Sequence, residues 1–313
     1  MSTDQAQAAV PSPWWAVARS EEVTGQKPLA VDIGGQAVVL WRDKQDVARA
    51  LEDRCPHRRA PLSLGCVRDN GWIQCGYHGW SYDGETGRLK EIPNLKDQQK
   101  FPPLYRAIAF GVYETGGFVR VNLDAKTPPP RVSAKTYRLN GTAHIGVDHQ
   151  NYLDALFDDP GLVVDIKGVR FTPYLMSELV VQDGMLTMER SCEWASKIWP
   201  APFSSDFLLT ILSRTHPETG ETDLILRDSD LAELLRVHLS PVPAARGVTA
   251  VRWRAELGER SPPLPHSLSW GAEPFSARSS VDAAALRVLK PSVSLRSGEL
   301  RAVLKSQTPA QVA

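Results

Sequence analysis

The chain has 313 residues, with 36 basic side chains against 36 acidic ones and 42% hydrophobic residues. That length suits about two domains with sizeable cores, and the balanced charge excludes a field of one sign of the kind that draws nucleic acid or an anionic membrane. No apolar run is long enough to cross a bilayer, and the first fifteen residues carry neither the basic nor the apolar region of a secretory signal, so a cytoplasmic protein is expected.

The first half reads as punctuated β structure. Ala30–Ile33, Ala37–Trp41, Trp72–Cys75 and Ala107–Tyr113 are short β-branched or aromatic runs bounded by Gly, Pro and Asp, which predicts a small antiparallel sandwich. Two loops of this sandwich carry soft metal ligands. Cys55-Pro56-His57 is followed, after seventeen intervening residues, by Cys75-Gly76-Tyr77-His78. Two thiolates and two imidazoles suit tetrahedral zinc, but zinc pairs usually come as Cys with Cys and His with His. Here each loop supplies one Cys and one His, the pattern a mixed-ligand [2Fe-2S] cluster needs, with two cysteines on one iron and two histidines on the other. Cys66 and Cys192 are left over and are expected to be buried, reduced thiols.

Lys126-Thr127-Pro128-Pro129-Pro130 continues neither sheet nor helix, so a boundary is expected there, with domains at 1–126 and 127–313. Beyond it, Gln150–Phe157 reads as a short helix ended by Asp158-Asp159-Pro160-Gly161. Strand-like runs follow at Tyr174–Gln182, Met185–Glu193, Phe207–Ser213, Leu234–Leu239 and Val248–Glu256, and Val281–Leu289 reads as a late helix. Trp194, Trp199, Trp253 and Trp270 read as core, and His216, His238 and His266 as ordinary histidines with no partner at ligand spacing.

The stretch CPHRRAPLSLGCVRDNGWIQCGYHGWSYDGETGRL, Cys55 to Leu89, resembles the Rieske domain of the Rieske non-heme iron oxygenases, and the likeness runs on through Glu91-Ile92-Pro93. The resemblance implies an α+β chain, an N-terminal Rieske [2Fe-2S] β-sandwich domain followed by a helix-grip catalytic-type domain. Respiratory Rieske proteins usually carry an extra cysteine pair in these loops, and Cys66 has no nearby partner for one.

In those oxygenases a short helix reads Asn-x-x-Asp-x-x-His-x4-His, and its two histidines join a later carboxylate to hold mononuclear Fe(II). This chain keeps Asn151 and Asp154 but has Phe157 and Leu162 where the histidines belong, and neither side chain has a lone pair for a metal. Asp282 loosely matches the carboxylate. His144 and His149 share the His-x4-His spacing upstream and form the alternative ligand pair. In the family, the aspartate matched by Asp154 bridges a cluster histidine of one subunit and an iron histidine of the next.

The resemblance therefore implies an α-type subunit with a degenerate mononuclear iron site. Such a chain would pass electrons from an NAD(P)H-dependent reductase or ferredoxin to the Fe(II) of a related subunit in a head-to-tail ring, a trimer or a multiple of one. The complex would hydroxylate or oxidatively demethylate a small organic substrate. The alternatives are a self-sufficient monooxygenase with an unorthodox iron site and a non-catalytic redox or scaffold protein.

Overall fold

A computed structural model describes residues 13–95, 101–124, 127–129, 135–194, 209–217, 219–245, 247–258, 273–282 and 284–285. The chain divides into two compact units, residues 1–135 and 136–313.

The first unit is built from short strands: β1 (Trp15–Arg19), β2 (Leu29–Ile33), β3 (Gln36–Arg42), β4 (Ala48–Glu52), β5 (Cys66–Val67), β6 (Ile73–Gln74), β7 (Ser81–Tyr82), β8 (Leu89–Glu91), β9 (Gly111–Thr115) and β10 (Phe118–Asn122). They form three antiparallel sheets, in the orders β1-β10-β9, β2-β3-β4 and β5-β6-β7-β8. The β2–β3 hairpin turns on Gly34-Gly35, both at positive φ, the conformation that matches the right-handed twist of the strands it joins. Val39, Trp41, Leu51, Leu62, Ile73 and Tyr82 close the core beneath the two cysteine loops. The Trp41 indole N–H donates to Gly71 O at 3.0 Å, so even the largest buried ring leaves no polar atom unpaired.

The second unit opens with β11 (Leu139–Ile145) and α1 (His149–Asp158). It continues through β12 (Val164–Ile166), β13 (Val169–Leu175), β14 (Val180–Gln182), β15 (Met185–Trp194), β16 (Leu209–Thr215), β17 (Thr222–Arg227), β18 (Glu233–Ala244), β19 (Val248–Leu257) and β20 (Phe275–Ala277). Seven strands run in the order β11-β19-β18-β17-β16-β15-β13, with β14 also paired to β15, in one curled antiparallel sheet. Residues alternate across it: Leu186, Met188, Arg190 and Cys192 of β15 are buried while their neighbours are less so, the period of two that a half-covered strand requires.

Helix α1 covers one face of this sheet. It starts at Asp148, whose carboxylate accepts from Asn151 N at 3.1 Å as an N-cap, and stops before Pro160, which disfavours helix in the residue ahead of it. Tyr152, Leu153, Ala155 and Leu156 are buried against Leu209, Ile211, Leu224, Leu226, Leu235, Val237 and Val251. Phe157 packs separately with Leu186 and Met188.

Several expected elements differ. Tyr174–Gln182 is two strands, β13 ending at Leu175 and β14 beginning at Val180, because the chain leaves the sheet edge and re-pairs with β15. The expected strand at Ala107–Tyr113 begins only at Gly111. Cys66 is exposed rather than buried, since β5 is a two-residue strand at the edge of its sheet; Cys192 is buried as expected, which pushes its thiol up to about 12. Trp194 and Trp253 pack against the core of the second unit. His266, Trp199, Trp270 and most of Val281–Leu289 lie outside the described residues, as do 207 and 208 of the expected strand Phe207–Ser213.

Candidate metal centre

The two cysteine loops are copies of one backbone design. In the first, Cys55 N donates to Ala60 O at 2.8 Å and Arg59 N to Cys55 O at 2.8 Å; in the second, Cys75 N donates to Trp80 O at 2.9 Å and Gly79 N to Cys75 O at 3.0 Å. The fifth residue of each loop stands at positive φ, +61° for Arg59 and +71° for Gly79. A Cβ on Gly79 would also lie 2.7 Å from Pro93 Cγ, so glycine is required there twice over. Outside the loops, Asp53 accepts from Ser63 N at 2.7 Å and Ser63 Oγ at 2.6 Å, and Gln74 Nε2 donates to Gly79 O at 3.0 Å.

This frame separates the four candidate ligands by chemistry. Cys55 and Cys75 are each 2% exposed, and burial first, then the neighbouring Cys55 sulfur, pushes the Cys75 thiol up. The backbone N–H groups of Tyr77 and His78 work against that rise by donating to the Cys75 sulfur. The Tyr82 hydroxyl lies 3.2 Å from Cys55 Sγ. Burial and the two cysteines hold its phenol well above its ordinary range, so it meets a sulfur anion as a proton donor. The imidazoles sit further out: His78 is exposed and His57 half-buried. Their rings lie 4.7 Å apart, and His57 stacks on Trp80 at 4.3 Å with planes 2° apart. Desolvation, then the nearby His78 and Arg58 charges, lowers the His57 pKa and favours the neutral ring that a metal binds.

Thiols pair with thiols, and imidazoles with imidazoles. A cluster with its two ends on different ligand pairs takes that arrangement, whereas a single tetrahedral zinc gathers all four donors. Residues 13–102 match the family described as Rieske [2Fe-2S] domain.

The chain carries a Rieske [2Fe-2S] domain.

Its relatives extend the likeness beyond that domain. The chain is 30% identical over 168 residues to protein TIC 55, chloroplastic, of Arabidopsis thaliana, an alignment covering 51% of this chain and 31% of the relative. It is 39% identical over 107 residues to the vanillate O-demethylase oxygenase subunit of a Pseudomonas species, covering 34% of this chain and 28% of the relative. The chain thus spans less than a third of each of these relatives' length. In fold, it superposes on the crystal structure of dicamba monooxygenase with non-heme iron and dicamba with a TM-score of 0.64 at 20% identity, covering 97% of this chain and 92% of that one. The architecture is therefore that of the Rieske oxygenase α subunits, a Rieske domain followed by a helix-covered, curled sheet.

At the two positions where the resemblance implies iron histidines, the described residues offer no metal donor. Phe157 is 1% exposed and fills its place with a phenyl ring against Leu186 and Met188, while Leu162 packs on the main apolar core. Asp282 is exposed, and its carboxylate accepts from Ala284 N at 2.8 Å. His144 is exposed on β11, whereas His149 is mostly buried at the first turn of α1, beside the backbone of Pro241 and Thr219. Asp154 is buried, 5% exposed, and accepts from Gln150 Nε2 at 3.1 Å.

Three features escaped the sequence reading. Tyr82 gives no sign in sequence of standing over Cys55. Arg190, 4% exposed, donates from Nη2 to Phe157 O at 2.7 Å. His238 faces two carboxylates, Asp223 at 2.9 Å and Glu221 at 3.7 Å, because β17 and β18 pair in a register no local pattern announces.

Proposed function

We propose that Cys55, His57, Cys75 and His78 hold the [2Fe-2S] cluster, and that the chain is an electron-delivering subunit of a hetero-oligomeric oxygenase. Its partner is a related subunit carrying mononuclear Fe(II), in a head-to-tail ring whose interfaces join unlike faces. The observation that carries this reading is Phe157, an apolar ring buried where a metal ligand belongs, in a chain whose cluster loops are complete.

A cluster held by two thiolates and two imidazoles supplies one-electron transfer at a potential above that of all-cysteine clusters. The chain's own residues set the conditions. Burial keeps water from the thiols, Tyr82 and the amides of Tyr77 and His78 place N–H and O–H dipoles on the sulfurs, and the outward imidazoles give electrons a short path to the surface. The donor is an NAD(P)H-dependent reductase or a ferredoxin. The reaction is hydroxylation or oxidative demethylation of a small organic substrate, in keeping with relatives named for demethylation and monooxygenation. No described helix is long and apolar enough to cross a membrane, and a cytoplasmic site is part of the proposal.

Iron and acid-labile sulfide analysis of the full chain, followed by turnover assays with and without an iron-bearing relative, tests the reading. Two irons and two sulfides per chain, with turnover only on mixing, are expected. One zinc without sulfide overturns the cluster assignment, and a third stoichiometric iron overturns the division of labour.

A further inference from the structure

Three turns of the first unit meet around a cavity of about 250 Å³. Residues 43–47 join β3 to β4, 68–72 join β5 to β6, and 83–88 join β7 to β8. The Cys75 loop joins the other ends of β6 and β7, so the cavity opens at the end of that sheet remote from Cys75.

Its walls are fixed by the turns themselves. The Asp43 carboxylate accepts from Gln45 N at 2.9 Å, Val47 N at 3.0 Å and Arg49 Nε at 2.7 Å. The Asp83 carboxylate accepts from Glu85 N at 3.1 Å, Thr86 N at 2.6 Å and Thr86 Oγ1 at 2.9 Å. Gly71 stands at +83°, where a Cβ would lie 2.3 Å from Lys44 N, and a Cβ on Gly84 would lie 2.5 Å from Arg49 Cγ. The turns therefore press on one another, and the cavity keeps its shape.

These bonds consume the acceptors and leave the donors. Among the described residues the Arg88 guanidinium has no ion pair or hydrogen bond, and the Lys90 ammonium stands 3.7 Å from Asp83 Oδ2, beyond hydrogen-bond reach. Arg49 spends only Nε on Asp43, and the Asn70 amide and Trp72 indole N–H groups have no acceptor. Arg106 stands opposite Arg88 in an antiparallel bridge and donates from Nε to Thr86 O at 2.6 Å, bringing a further cation to the wall. Like charges set opposite each other destabilise a sheet. Of the lining carboxylates, Glu85 alone is exposed and untied.

We propose that this cavity binds a phosphate dianion, free or as the phosphoryl group of a small molecule, received by Arg49, Arg88 and Lys90. A phosphate brings close to two negative charges and several strong acceptor oxygens, which answers a surplus of cations and N–H donors better than the single charge of a carboxylate. Guanidinium groups meet such oxygens two at a time. The volume falls just below the roughly 300–1,000 Å³ of drug-sized sites, so the ligand is small. The site stands apart from the electron-delivery reading and survives its failure, since no cluster ligand lines it.

Calorimetric titration of the full chain with inorganic phosphate, adenosine monophosphate and acetate tests it, at constant ionic strength and about pH 7.5, where phosphate has lost its second proton. Saturable binding of phosphate is expected, with acetate far weaker. Adenosine monophosphate binding as tightly as phosphate marks a phosphoryl group as the ligand, and its exclusion marks the free ion. Arg88→Gln and Lys90→Gln, both at exposed positions, should each weaken binding about tenfold, the worth of one charge-assisted hydrogen bond. Glu85→Gln should strengthen it. No saturable binding of phosphate, acetate bound as tightly as phosphate, affinity unchanged in Arg88→Gln and Lys90→Gln, or affinity lowered in Glu85→Gln would each overturn the proposal.

Discussion

Arg59 and Gly79 hold the same place in two loops that share one hydrogen-bond pattern, and both stand in left-handed backbone, at +61° and +71°. Only one of them is glycine. An L side chain in that conformation costs about 1–2 kcal/mol, so the first loop carries a strain that the second avoids. Arg59→Gly is expected to raise stability by about 1 kcal/mol, less the entropy that glycine returns to the unfolded chain. Gly79→Ala should lower it by more, because the new methyl also meets Pro93. Denaturant midpoints of the two variants check both signs.

The Tyr82 hydroxyl on Cys55 Sγ should tune the cluster. A donor on a sulfur favours the more negative, reduced state, so Tyr82→Phe is expected to lower the reduction potential by about 50 mV, the equivalent of roughly one hydrogen bond in a one-electron couple. Voltammetry of the purified variant reads this directly; an unchanged or higher potential would show that the contact does not bear on the reduced cluster.

His238 makes stability depend on alkaline pH. Burial opposes its charge, but the hydrogen bonds to Asp223 and Glu221 and their field prevail and push it up to about 9. Its unfolded value is about 6.5. The folded value is the higher one, so the stabilisation is complete below about pH 6.5 and is lost as pH rises through 9, on the order of 3 kcal/mol in all. Urea midpoints between pH 6 and 10 should fall in the wild type and stay nearly level in His238→Gln.

The division of labour predicts unequal effects in a mixed complex. Cys55→Ser removes a ligand and should abolish turnover while assembly survives. Asp154→Asn should cost little if electrons only leave this chain. A loss of about 10- to 100-fold, the usual effect of a carboxylate supporting a metal ligand, would mean that electrons also arrive through α1, and the one-way arrangement would fail.

What was legible in the sequence was whatever local chemistry determines. The Rieske domain announced itself through its two loops of one Cys and one His each, and residues 13–102 match that family. The alternating runs Met185–Glu193 and Val248–Glu256 lie within β15 and β19, and the helix at Gln150–Phe157 lies within α1, whose cap and proline stop are written in its flanks. Pairing was not legible. The break in Tyr174–Gln182, the short β17 and the acid pair around His238 all depend on which strand lies beside which. Cys66 was misjudged for a related reason: thiols are usually buried, and only its place on an edge strand turns this one outward.

That outward thiol bears on how the protein can be handled. Cys66 is exposed, and its sulfur makes a weak contact to Gln74 Oε1 at 3.6 Å. In air, two copies can join through it as a covalent pair, or it can climb to sulfenic acid and beyond. A dimer seen on a column without reductant could therefore be a laboratory product, and the size of any complex this chain forms is best measured on Cys66→Ser.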